Sequence, residues 1–377
     1  MSPRVVVGAL VLATVATVFP GFLIAALSVQ VGAEFRVSEA TYGWGLGSFF
    51  LAATTGSIVL GKLVQRVGPR NQITLALGVS AVAQLALAVS ARSFALVIGF
   101  LVVAGFMNAA NQTAVNLALT RAELPRLGLA LAVKQSAMPS ASLLSGLAVP
   151  LIALTVGWRW AYVMGASLAL VALIAVRAVI EPSTPLAPVE AVPLVSSSRA
   201  LLLAAVTGAF LAFSAGALNA WIVASAVDTG LGPGAAGLML SLGSASGITL
   251  RLLFGTRTDT MRQPPFRSAG LTALVGAAGM AVLSIRVPGL HMGATMVAFA
   301  GGWVWPVFTN FGVVRTNVAA AGAATGVTQM GVYIGVFLAP LVTGLLIEHS
   351  GYRLMWIVVA AVAVVGSVLA ILIADEF

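Results

Sequence analysis

The chain has no cysteine, which excludes disulfide staples, thiolate nucleophiles and thiolate metal sites. Histidine is nearly as scarce. His291 and His349 are the only two, both are expected in loops, and no carboxylates gather around them to hold a metal. Charge is rare, at 8% of 377 residues, and acids are the rarer sign, with 10 against 19 bases. Apolar side chains dominate instead: 60% of the chain is hydrophobic, more than a soluble domain of this size can hide. The fold class expected is therefore an all-α membrane protein.

About 20 apolar residues span a bilayer as helix. Runs of that kind cover 5–33, 40–62, 71–90, 94–120, 127–154, 158–180, 199–227, 234–256, 267–286, 289–316, 321–347 and 351–374. The first, preceded by Arg4, is too long for a secretory signal and is followed by eleven more, so it reads as the first transmembrane helix. None of the acids falls inside a run. The bases are unevenly shared. Arg4, Lys62, Arg66, Arg70, Arg121, Arg126, Arg177, Arg199, Arg257, Arg262, Arg267 and Arg315 fall on one side, and only Arg36, Arg92, Arg159, Arg286 and Arg353 on the other. The positive-inside rule then puts both termini in the cytoplasm, with the chain in the inner or plasma membrane. The net charge of +9 is thus a topology signal, and no nucleic-acid partner is expected. Lipid and a small-molecule substrate are the partners expected of a monomer.

The chain repeats itself at an offset of 194. Gly43 falls on Gly237, Gly61 on Gly255, Asn116 on Asn310, Arg121 on Arg315, Gly128 on Gly322, Gln135 on Gln329, Gly157 on Gly351 and Arg159 on Arg353. Two tandem six-helix bundles, 1–180 and 199–377, are predicted, with binding near the midplane between them. The segment 181–198 holds Pro182, Pro185, Pro188 and Pro193 and reads as a cytoplasmic linker. No phosphate-binding loop is present and no nucleotide or other cofactor is implied.

The loop after the second run reads Gly61-Lys62-Leu63-Val64-Gln65-Arg66-Val67-Gly68-Pro69-Arg70. With the six-plus-six layout, it resembles the signature of the major facilitator superfamily. The second copy keeps Gly255 and Asp259 but has no glycine opposite Gly68. The resemblance implies alternating access and a cytoplasmic latch built from these loops. Gln65 stands where the family has an aspartate, which implies a looser latch in the first half. Gly146 and Pro150 on helix five match Pro340 and Gly344 on helix eleven, and these read as paired bends for rocking the halves.

Polar content picks out the helices facing a pathway, since polar groups exposed to lipid are penalised. Asn108, Asn111, Gln112 and Asn116 share one arc of helix four. Asn219 and Trp221 on helix seven, Trp303, Trp305, Pro306, Thr309 and Asn310 on helix ten, and Gln329 and Tyr333 on helix eleven add further candidates. Helices six and twelve are nearly free of polar residues and are expected at the periphery.

Two cations, Lys134 and Arg251, lie inside apolar runs, at an insertion cost of roughly 2.5–3.5 kcal/mol each. With no internal acid to answer them, they ask for an anion. The stretch Arg251-Leu252-Leu253-Phe254-Gly255 resembles the R-x-x-x-G of helix eight in oxalate–formate and monocarboxylate transporters. That resemblance implies a role for Arg251 on a substrate carboxylate. A secondary transporter of a small organic anion is expected. The rival is an exporter of neutral or amphiphilic compounds, for which Trp221, Trp303, Trp305 and Met138 would suit the cavity. No nucleophile–base pair, paired carboxylates or metal cluster points to an enzyme.

Overall fold

A computed structural model describes residues 3–121, 133–182, 195–258 and 261–377. Among these, ten helices are long and apolar enough to cross a membrane. The last of them is two crossings, because Gly351 (φ 72°, ψ 175°) interrupts the helix Ala321–Leu372. The 29-residue helix Glu39–Val67 brings the number to twelve. In chain order they are α1 (Pro3–Ala26, extended by Ser28–Phe35), α2 (Glu39–Val67), α3 (Pro69–Ser90), α4 (Phe94–Arg121), α5 (Val133–Ala153) and α6 (Trp158–Val179). The second set is α7 (Ser198–Asp228), α8 (Pro233–Gly255), α9 (Pro265–Leu283), α10 (Pro288–Thr316), α11 (321–350) and α12 (352–372). The protein is a multi-pass integral membrane protein. The linker stretch 183–194 and the start of the fifth run, 127–132, lie outside the described residues.

Glycine sets the boundaries where the chain must reverse. Gly157 (φ 105°) ends α5 before α6, and its counterpart Gly351 ends α11 before α12; a side chain is strained at either backbone angle. Gly68 (φ 79°) turns α2 into α3 with no intervening residue, its N–H closing on Val64 O at 3.0 Å and Pro69 starting the next helix.

Each half packs within itself: α2 and α3 on α4, α1 and α3 on α6, and in the second half α7 and α9 on the α11–α12 segment, with α8 and α9 on α10. Polar glue is used where lipid gives no hydrophobic drive. Gln72 of α3, 1% exposed, donates to Leu60 O of α2 (3.1 Å) and to Ala110 O and Thr113 Oγ1 of α4 (2.9 and 3.0 Å). His291 and His349 are helical, contrary to the loops expected. His291 is buried in α10 beside Ser225 Oγ (3.3 Å), a hydroxyl that also accepts from Trp356 Nε1 (2.7 Å).

The halves meet along α2–α11 and α5–α8, with α1 against α7. Their backbones come close toward the end of the molecule away from the termini. A Cβ on Gly43 would lie 2.3 Å from Pro340 O, and one on Gly344 2.7 Å from Glu39 O. Across the other seam, a Cβ on Gly146 would lie 2.5 Å from Gly237 O, and one on Gly237 2.7 Å from Gly146 O. Gly43 against Pro340 and Gly237 against Gly146 are one contact written twice, related by the 194-residue repeat. The four positions read as bends therefore serve a further purpose. Pro340 sits in continuous helix and Pro150 in a π turn (Val149–Ala153), while the two glycines bring backbone to backbone.

The same sealed end carries the ion pairs. Glu34 takes Arg159 at 2.7 Å, and its repeat counterpart Asp228 takes Arg286. The Arg159 guanidinium holds the Glu34 carboxyl below its usual range, against the opposing effect of partial burial. These are the ion pairs among the described residues, and both lie far along the chain from Lys134 and Arg251.

Candidate substrate cavity

Between the halves lies a cavity of about 180 Å³. At roughly 10–15 Å³ for each water, that is room for a small organic molecule or about 12–18 waters. It runs from Phe22, Leu46 and Pro340 near the sealed end to Ala204, Phe266 and Val313 toward the side bearing the termini.

Of the candidates named from the sequence, Asn108, Gln112, Asn116, Lys134, Asn219, Arg251, Trp305, Asn310, Gln329 and Tyr333 line it, whereas Asn111 and Trp221 do not. The repeat pairs Asn116/Asn310 and Gln135/Gln329 face it from opposite walls. The helix-four arc is narrower than its spacing suggested. Asn111 is wholly buried, does not line the cavity, and neither of its amide atoms finds a partner among the described residues. Trp221 is also elsewhere; its Nε1 donates to Thr343 Oγ1 (2.7 Å) and its ring approaches Tyr42 at 6.3 Å across the seam.

Several lining groups are already engaged. Thr17 donates weakly to Asn108 Oδ1 (3.4 Å), and Ser142 donates to Asn219 Oδ1 (2.7 Å), joining α5 to α7. Others are free. Among the described residues, neither amide atom of Gln112 (5% exposed) nor Nε1 of Trp305 (4% exposed) has a partner. Lys134 is 8% exposed, and among the described residues no carboxylate lies within 4.0 Å of it or of Arg251.

Arg251 is engaged for a reason that the sequence contains. Pro139 has no N–H to close a helical turn on the carbonyl of Gln135. In α10 the helix breaks between Gly302 and Trp305, and Val307 N–H turns to Val304 O (3.0 Å), leaving the Trp303 carbonyl open. Arg251 answers both orphans. Its Nε donates to Trp303 O (2.6 Å) and its Nη1 to Gln135 O (2.5 Å), with the guanidinium 5.9 Å over the Trp303 ring. One carbonyl belongs to each half, so the side chain is a clamp across the cleft. Nη2 makes no hydrogen bond to a described residue. Replacing Arg251 with Gln strands two buried carbonyls, at about 1–3 kcal/mol each. A lower thermal unfolding temperature is expected in detergent. Adding Pro139→Ala restores a donor to Gln135 O and recovers part of the loss; unfolding of Arg251→Gln at the wild-type temperature would rule out the clamp.

Among the latch positions, Arg70 donates to Arg177 O (2.8 Å) within the first half, Arg66 is exposed, and Gly255 closes α8. Asp259 lies outside the described residues, as do the surroundings of Gly61 and Gln65. Phe22, Phe50 and Pro139 were not anticipated in or beside the cavity. Pro139 was legible through its missing donor, whereas two phenylalanines in apolar helices carry no distinguishing signal.

The family model described as Major Facilitator Superfamily matches residues 7–340. No curated protein sequence matches the chain. Two solved structures of a bacterial homolog to the human lysosomal transporter Spinster are similar to it, one inward-facing and unoccupied, the other inward-facing and occupied. Each has a TM-score of 0.77 and covers 100% of this chain and 98% of its own, at 13% and 14% identity respectively, which is a likeness of fold.

Proposed function

From the chain's membership of the Major Facilitator Superfamily, a family of transporters and not enzymes, we propose that it carries a small organic anion, a carboxylate, by alternating access. The observation behind this reading is the pair of buried cations bordering one cavity without a carboxylate partner among the described residues. Water in the cavity makes such charges tolerable while it is hydrated. Closure removes the water, and an anion between them restores the balance, so the occupied carrier closes more readily than the empty one. Lys134 acts as a point charge. Arg251 exchanges its hold on Gln135 O for one oxygen of the cargo while Nη2 takes the other. The uneven basic loops support a reading with the termini in the cytoplasm of a cell's inner or plasma membrane, in which the cavity faces inward.

Counterflow in proteoliposomes tests the reading. Vesicles preloaded with unlabelled acetate, lactate or oxalate are expected to accumulate the labelled acid, while cationic dyes are not exchanged. Exchange of the dyes with none of the carboxylates would overturn it.

A further inference from the structure

The two ends of the cavity differ in chemistry. Toward the termini, its wall offers polar groups that are buried and unpartnered: the Gln112 amide and the Trp305 indole N–H, in company with Lys134. Toward the sealed end, the wall is Phe22, Leu46, Phe50, Trp303, Val336 and Pro340. The rings there form one interlocked group, Phe22 meeting Phe50 at 6.4 Å and Trp303 at 5.8 Å, both edge to face. Trp303 is further backed by Phe299 at 5.3 Å. Phe22 and Phe50 come from the first half and Trp303 from the second, so the apolar end is completed only where the halves meet. The polar side chains bordering that end are already engaged: Arg251, whose guanidinium lies over the Trp303 ring, donates to the carbonyls of Trp303 and Gln135, and the Asn219 oxygen accepts from Ser142.

We infer that the cargo is an amphipathic monoanion, its carboxylate held by Lys134 and Arg251 with Gln112 and Trp305 as further donors, and a bulky apolar tail, an aryl or branched alkyl group, lodged among Phe22, Phe50 and Trp303. The inference rests on the anion reading above and narrows it. A carboxylate needs donors on both oxygens; the Lys134 ammonium, the Gln112 NH2 and the Trp305 N–H are donors, and the last two have no partner among the described residues. Leaving such buried groups unmade is costly, so a ligand that satisfies them gains affinity. A second carboxylate among Phe22, Leu46 and Phe50 would meet no donor side chain, the Arg251 guanidinium near Trp303 being already engaged, which selects against dicarboxylates. An apolar tail there removes aromatic and aliphatic surface from water instead. The tail also bridges both halves at the seam, which ties occupancy of the apolar end to their closure.

The test uses purified full-length protein and four probes: 3-phenylpropionate, its neutral amide, acetate and succinate. Affinity is read from ligand-induced thermal stabilisation and from competition in counterflow. Phenylpropionate is expected to bind at least about tenfold more tightly than acetate or succinate, as burial of a ring predicts. Its advantage over acetate is expected to shrink roughly tenfold in Phe50→Leu and likewise in Phe22→Leu, two conservative changes that keep the seam apolar. Equal binding of all three acids, or an unchanged preference in both variants, would overturn the amphipathic cargo and leave the anion reading standing. Binding of the amide as tightly as the acid would overturn the anion reading itself.

Discussion

Replacing Lys134 with Gln is expected to lower transport of the anionic cargo by about two orders of magnitude while the protein still folds. Truncating one member of a desolvated charge pair typically costs about 2–5 kcal/mol, equivalent to roughly thirtyfold or more in affinity. Folding should survive because Lys134 has no carboxylate partner among the described residues that the change would strand. Removal of an unpaired buried charge relieves its desolvation, so the unfolding temperature of the empty protein should hold or rise. Lys134→Arg keeps the charge with a different shape and is expected to retain a fraction of the activity. The outcome contrasts with that for Arg251, whose loss damages stability as well as transport because two backbone carbonyls depend on it. Counterflow with measured Kd separates the cases. A Lys134→Gln protein that binds and exchanges the acid normally would remove that residue from the cavity's chemistry.

Much of the architecture was legible because the chain states it twice. The 194-residue offset paired Gly157 with Gly351, and both adopt positive φ at the same break between helices. It paired Asn116 with Asn310 and Gln135 with Gln329, and all four face the cavity. Intramembrane cations were legible too, since bilayer depth makes them conspicuous. Other features depend on what a side chain meets through space, which spacing along a helix does not give. Asn111 lies one position from Gln112, yet only the latter lines the cavity. Arg251 carried a resemblance to a substrate-binding arginine, whereas its position is fixed by two carbonyls orphaned near Pro139 and Pro306. The phenylalanines that close the apolar end were invisible for a simpler reason. In helices made of Ala, Val, Leu and Phe, the residue facing a cavity and the residue facing lipid are drawn from the same set.

Adding a single methyl group at Gly43 is expected to push the carrier out of its sealed-end conformation. The Cβ of an alanine would sit 2.3 Å from Pro340 O, a backbone atom that no rotamer change can move aside. Overpacking of this kind costs typically 1–3 kcal/mol, enough to change a two-state ratio by roughly 5–150-fold. The penalty falls on one conformer only. When the halves separate at that end the clash disappears, and alanine is by itself the better helix former. Gly43→Ala should therefore fold and yet favour the form open on the side opposite the termini. The absence of cysteine makes the measurement direct. A single Cys introduced at Leu46, a buried cavity-lining position near the sealed end, should react slowly with a membrane-impermeant maleimide applied from the side opposite the termini. In the Gly43→Ala background the labelling rate is expected to rise at least tenfold and counterflow to fall. Gly146→Ala should do the same from the other seam, its Cβ meeting Gly237 O at 2.5 Å, because the repeat makes the two contacts equivalent. Gly293→Ala, with nothing within 4 Å, serves as the control and should leave both readouts unchanged. Labelling that is equally slow in all three variants would show that these backbone approaches do not set the conformational balance.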